Sequence, residues 1–150
     1  MKMYWQESAF ETKIFDEDQK LIGVYYKAGS KPTRIGGLLF YMELDSELNA
    51  SIIMQDKNYK QHFCTYKQLS NSFNKESSSA YFQFDNYKLD FIPSKRPYLQ
   101  LDNKIIIDYW KDSGFFKRTG SITIFGLKEH WQMLTFCIIY AKNIESTNWV

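Results

Sequence analysis

The 150-residue chain carries 19 Lys and Arg against 17 Asp and Glu, a net charge of +2. That balance excludes the concentrated basic face of a nucleic-acid binder, and two cysteines are too few to staple a small secreted scaffold. No apolar run reaches the roughly 20 residues needed to span a bilayer, and the opening Met1-Lys2-Met3-Tyr4-Trp5-Gln6-Glu7 lacks the apolar stretch of a signal peptide. The expectation is a single cytoplasmic domain over 1–150, with Cys64 and Cys137 as free thiols. Aromatics make up 18% of the residues, with 12 Phe and 11 Tyr. Such rings suit pleated, half-buried surfaces and point to a β-fold.

Turn chemistry cuts the chain into short strands. Phe10–Phe15 and Leu21–Lys27 flank the polar turn 16–20 and predict a hairpin, followed by a loop over 28–33. Ile35–Leu44 and Ala50–Gln55 pair around 45–49, and 56–58 turns into Tyr59–Lys67. The polar interval 70–79 is a long surface loop or the joint between two β halves. Tyr81–Phe84 and Tyr87–Ile92 read as a hairpin across Asp85-Asn86; Tyr87, Leu89 and Phe91 alternate with Lys88 and Asp90, giving one buried and one wet face. Tyr98–Leu101 and Lys104–Trp110 repeat the device across Asp102-Asn103, because Asp and Asn tolerate left-handed backbone. Phe115–Arg118 and Ser121–Leu127 complete nine or ten strands.

The end of the chain differs from the rest. Within Lys128–Asn143, Trp131, Met133, Leu134, Phe136, Cys137, Ile138, Ile139, Tyr140 and Ala141 point in every direction on a helix and leave no polar face. A helix apolar all round must be buried on all sides. A final strand over Leu134–Ala141 is the alternative, since short apolar runs do not resolve by period; the length of the run favours helix. The fold class is therefore all-β, mainly antiparallel, a barrel or strongly curled sheet around one buried C-terminal hydrophobic helix.

Candidate chemistry is sparse. His62 and Cys64 share one face of a strand, where they could pair a thiol with a base or, with partners from His130 or Cys137, hold a metal; the expectation is instead that Phe63 faces the core and His62 and Cys64 lie on the other face. Glu43, Asp45 and Glu47 alternate along one side of a strand and its turn as an acidic rim. The acidic run 16–18 lacks the glycine and distal Glu of a calcium loop. Cations gather at Lys27, Lys31 and Arg34, at Lys95-Arg96, and at Lys117-Arg118; the last two pairs flank strands near one hairpin edge, where loops of a barrel can meet. No phosphate-binding glycine loop or nucleophile elbow is present. No cofactor is expected.

Two further features concern the layout. Residues 20–27 and 104–111 both read Lys, two aliphatics, two further residues, two aromatics, Lys, a faint internal repeat. The order of elements, opening on a strand, an Asp-containing turn and a strand at Phe10–Lys27 and closing on a hydrophobic helix at Lys128–Asn143, resembles the tubby C-terminal-like superfamily with its phospholipid scramblase-like domains. That resemblance implies two related β halves and a helix threaded through a barrel. It places no lipid-binding residue on this sequence, and fold alone does not transfer function.

These observations lead to an expected non-enzymatic binding module that recognises a protein surface or an anionic headgroup at its loop rim, through Lys95, Arg96, Lys117, Arg118, Glu43, Asp45 and Glu47. An immunity-type inhibitor of a toxic enzyme, using the acidic stretch Glu43–Glu47, is the first alternative. A β-barrel carrier of a small apolar ligand is the second.

Overall fold

Apolar and polar side chains alternate along most of the predicted strands, and each strand needs a neighbour for its backbone N–H and C=O groups. In a computed structural model the chain meets both needs by closing on itself. The structure describes residues 1–27, 31–44, 49–56, 59–68, 80–114 and 116–147, and the side chains of all of these except 44, 56, 59–62, 68 and 145–147. The strands are β1 (Lys2–Glu7), β2 (Glu11–Phe15), β3 (Leu21–Tyr26), β4 (Thr33–Ile35), β5 (Leu38–Leu44), β6 (Asn49–Asp56), β7 (Tyr59–Gln68), β8 (Ala80–Gln83), β9 (Lys88–Ile92), β10 (Tyr98–Leu101), β11 (Lys104–Lys111) and β12 (Thr119–Ile124). Each pairs antiparallel with its neighbours in sequence, and β1 closes the ring against β12 with Lys2 opposite Thr123 and Trp5 opposite Gly120. Closure removes the exposed edges that an open sheet must protect.

A 3-10 turn, Lys128–His130, leads into α1 (Trp131–Thr147). Nine consecutive residues of α1, Met133 to Ala141, are buried. Consecutive burial at 100° per residue requires walls on every side, and the contacts supply them. Thr135 Oγ1 lies 3.7 Å from Met3 Sδ of β1, and Phe136 packs on Tyr25 of β3 and Phe40 of β5 at 5.8 and 5.2 Å between ring centroids. Tyr140 meets Tyr66 of β7 edge-on at 5.0 Å, and α1 also packs against β11. The helix is the core of the barrel. In a meander of this kind one rim holds the even-to-odd connections and the other the odd-to-even ones. The chain leaves β12 at the first rim, where Trp131 lies against the β4–β5 turn, and α1 runs to the second, here called the exit rim.

Four sequence expectations need correction. Ile35–Leu44 is two strands, because Gly36 and Gly37 take φ of 55° and 84° and form a two-residue turn between Ile35 and Leu38, the geometry that needs positive φ twice. A Cβ at Gly36 would also lie 2.7 Å from the Trp131 ring. Residues 116–118 belong to the β11–β12 loop and not to a strand. β12 begins at Thr119 and stops at Ile124, three residues short of Leu127, whose φ of 52° turns the chain into the helix. Lys2–Glu7, outside the predicted strands, seals the ring by burying Met3 and Trp5. The Asp102-Asn103 turn takes left-handed backbone at both residues, while Asp85-Asn86 turns without it and is closed by Phe84 N–H donating to Tyr87 O at 2.8 Å. The repeated words fall on β3 and β11, four strands apart in the ring; the proposed joint at 70–79 lies outside the described residues.

Candidate functional site: the exit rim

The exit rim carries the β1–β2, β9–β10 and β11–β12 connections, and all four predicted basic residues reach it. The β9–β10 loop reads Pro93-Ser94-Lys95-Arg96-Pro97, with both prolines buried and the three residues between them exposed. Proline fixes φ, so the ends of this loop are stiff. Arg96 N–H donates to Ser94 Oγ at 3.1 Å within the loop, and Tyr109 N–H donates to Pro97 O at 2.9 Å, which ties the loop to β11. Lys117 and Arg118 close the neighbouring β11–β12 loop, where Glu7 N–H donates to Arg118 O at 2.8 Å.

Arg96 is held on two sides. Its guanidinium lies over the Trp110 indole, 4.6 Å from the ring centroid, and its Nε is 3.5 Å from Asp108 Oδ2. Its terminal nitrogens make no hydrogen bond to a described residue, and more than half of the side chain is exposed. A stacked, edge-tethered guanidinium keeps its outward donors in one plane, the arrangement that meets an oxyanion bidentately. Lys95, Lys117 and Arg118 are exposed and have no such support among the described residues. Of the four cations, one is oriented and three are solvated.

Asp108 explains part of that orientation. It sits on the outer wall between Tyr98 of β10 and Thr123 of β12, almost buried, with Oδ1 lacking any hydrogen-bond partner. Burial pushes its carboxyl above the usual carboxylate range; Arg96, the Thr123 backbone and Lys2 pull the other way and lose. Behind it, on the inner face, Trp5 stacks on Tyr109 at 4.8 Å and donates from Nε1 to Trp110 O at 3.2 Å.

The acidic candidates fare differently. Glu43 is exposed near the end of β5, on the same rim but six strands from β11 in a ring of twelve, on the far side of the barrel. Asp45 and Glu47 lie outside the described residues. The structure therefore does not bring Glu43 together with the basic loops. Of the other cations, Lys27 pairs with Glu7 at 3.1 Å and Lys31 lies over the Tyr26 ring at 5.5 Å.

Cys64 and Cys137 are both buried, one on the wall and one on α1, and unbridged; Cys64 thus faces the core, contrary to the expectation, and Phe63 is only partly buried against it. Burial, and then Cys64 beside it, raises the Cys137 thiol well above its usual range, so it is a poor nucleophile. The Tyr140 phenol is likewise pushed up to about 12 by burial. The side chain of His62 lies outside the described residues; His130 packs edge-on to Phe63 at 6.4 Å. Among the described residues no group of three or more His, Cys, Asp or Glu side chains is placed to hold a metal ion, and no helix is long and apolar enough to cross a membrane. Reading by residue type found Arg96 but missed Trp110 and Asp108, which serve it; the alternation of β11 marks both as outward-facing, and only the ring places Arg96 over them. Compared with protein-family models, curated proteins and solved structures, the chain shows no match.

Proposed function

We propose that the protein is a non-enzymatic binding module whose exit rim meets an anionic surface, with Arg96 as the oriented contact and Lys95, Lys117 and Arg118 as its electrostatic surround. The observation that carries this is the two-sided hold on Arg96. A cation kept for solubility gains nothing from being stacked and tethered, whereas a recognition residue loses less side-chain entropy on binding when it is already placed. The helix supports a rim over an interior site: it occupies the volume that a carried apolar ligand would need. The threaded barrel is also what supports the tubby-like resemblance, which we keep as a proposal of layout only.

The test is retention on immobilised polyglutamate, a plain anionic surface, as salt rises. The parent should be held at low salt and released as exposed charges are screened within ~8–10 Å. Charge reversal of Lys95, Arg96, Lys117 and Arg118 together should abolish retention. Arg96→Lys, which keeps the charge and loses the planar fork, should weaken it more than Lys95→Ala does. Equal loss in those two variants removes Arg96's special role, and full retention of the charge-reversed variant ends the reading.

A further inference from the structure

Two side chains on the exit rim face water far more than any other large apolar residue described. Phe10 is 82% exposed and Phe116 is 89% exposed. The other exposed large apolar residues, Met1, Tyr4, Leu21, Ile105 and Phe125, fall between 42% and 55%. Phe10 lies on the β1–β2 connection and Phe116 on the β11–β12 connection, with only the β1–β12 pair between them. Backbone hydrogen bonds brace both tips. Lys27 N–H donates to Phe10 O at 3.0 Å, Glu7 N–H to Arg118 O at 2.8 Å, and Lys117 N–H to Gly114 O at 3.2 Å. Neither ring belongs to the core, so burial of either contributes little to folding. Scattered surface hydrophobes need no explanation, but two rings more than four-fifths exposed on adjoining, braced hairpins form a pair.

We propose that Phe10 and Phe116 are a two-pronged anchor that enters the interfacial layer of an anionic lipid bilayer. This rests on the anionic-surface reading above and names the surface. Phe side chains bury at the boundary between headgroups and acyl chains, and the residues beside the prongs select the charge of that membrane. Lys117 and Arg118 follow Phe116 directly, and Lys95 and Arg96 project from the loop on the other side of β11. Of the nearby carboxylates, Glu7 is paired with Lys27 and Glu11 with Lys13 at 3.9 Å, while Asp112 accepts from the Thr119 hydroxyl at 2.8 Å and keeps its charge. Lys95, Lys117 and Arg118 make no ion pair among the described residues and outnumber Asp112, so the excess charge of these loops is positive, and each such cation near an anionic membrane adds attraction that salt screens. A rim with rings at its tips and cations behind them matches a surface that is anionic outside and apolar a few ångströms deeper.

The experiment measures co-sedimentation of the full chain with vesicles of phosphatidylcholine and phosphatidylserine, with pure phosphatidylcholine vesicles and immobilised polyglutamate alongside. The parent should bind the serine-containing vesicles and leave the neutral ones. Phe10→Ser/Phe116→Ser should bind them about tenfold or more weakly, since each ring forgoes a buried apolar surface, while its retention on polyglutamate stays unchanged. Phe10→Leu/Phe116→Leu should remain within about threefold of the parent. All variants should melt at the parent temperature, since neither ring is in the core. Binding of the serine double variant at the parent's strength overturns the anchor. Retention on polyglutamate without binding to anionic vesicles also overturns it, leaves the cationic rim intact, and points to an acidic protein surface. Failure on both supports removes the rim reading and the anchor with it.

Discussion

Trp5 and Trp110 stand two strands apart on one patch of wall, yet the two faces of that patch work by different rules. On the inner face Trp5 stacks on Tyr109 and fills the space over Gly120, where a Cβ would collide with both the Trp5 ring and the Trp110 carbonyl. On the outer face the half-buried Trp110 supports Arg96 beside Asp108. The inner face depends on shape, because a packed interior has nowhere to put an extra atom. The outer face depends on charge placement, where water tolerates substitution. Large stability effects and functional effects should therefore separate across a single layer of sheet.

The largest effect should come from the interior at α1. Phe136→Ala should cost about 3–5 kcal/mol in denaturant unfolding, a typical loss for a buried aromatic, and a chain ending at Gly126 should be insoluble. A folded, soluble truncation would show that the barrel does not need its helix. Next, Gly120→Ala should lower stability by at least about 1–3 kcal/mol, the usual range for forced overpacking. Wild-type stability there would mean that Trp5 can move aside and that the inner face is softer than its contacts indicate.

Smaller effects belong to the outer face. Because Asp108 binds its proton more tightly folded than unfolded, its contribution is most favourable at low pH and declines as pH rises through the raised folded value. Asp108→Asn should therefore remove a slope that lowers stability as pH rises above about 4, with a net change at neutrality within about 1 kcal/mol, since the ion pair it loses is half exposed. A steeper slope in the variant would reverse the sign assigned to Asp108. The smallest stability effect should be that of Arg96→Lys, within about 0.5 kcal/mol, although the same change weakens binding. A large stability loss would make Arg96 a structural residue and blur the line between the two faces.

How much of this was legible beforehand varied by element. The hairpin at Lys88–Ile92, the left-handed Asp102-Asn103 turn and the all-apolar helix were readable because each rests on local signals: period, turn chemistry and the lack of a polar face. The strand break at Gly36-Gly37 was hidden, since two glycines between apolar residues serve a bulge or a hairpin equally well until a partner strand is present. The seam strand Lys2–Glu7 shows the same limit. Its alternation of Met3 and Trp5 with Lys2, Tyr4 and Gln6 was visible, but its pairing with Thr119–Ile124 joins residues more than a hundred positions apart.

The sequence by itself determined the all-β composition, the buried helix and the identity of the basic loops, because side-chain period and polarity act over neighbouring residues. The tertiary structure alone decided that twelve strands close, that the helix fills the interior, that Arg96 rests on Trp110 and Asp108, and that Glu43 stands across the barrel from them. Ring order and shear place these groups, and both follow from pairing between strands far apart in the chain, which no local pattern encodes.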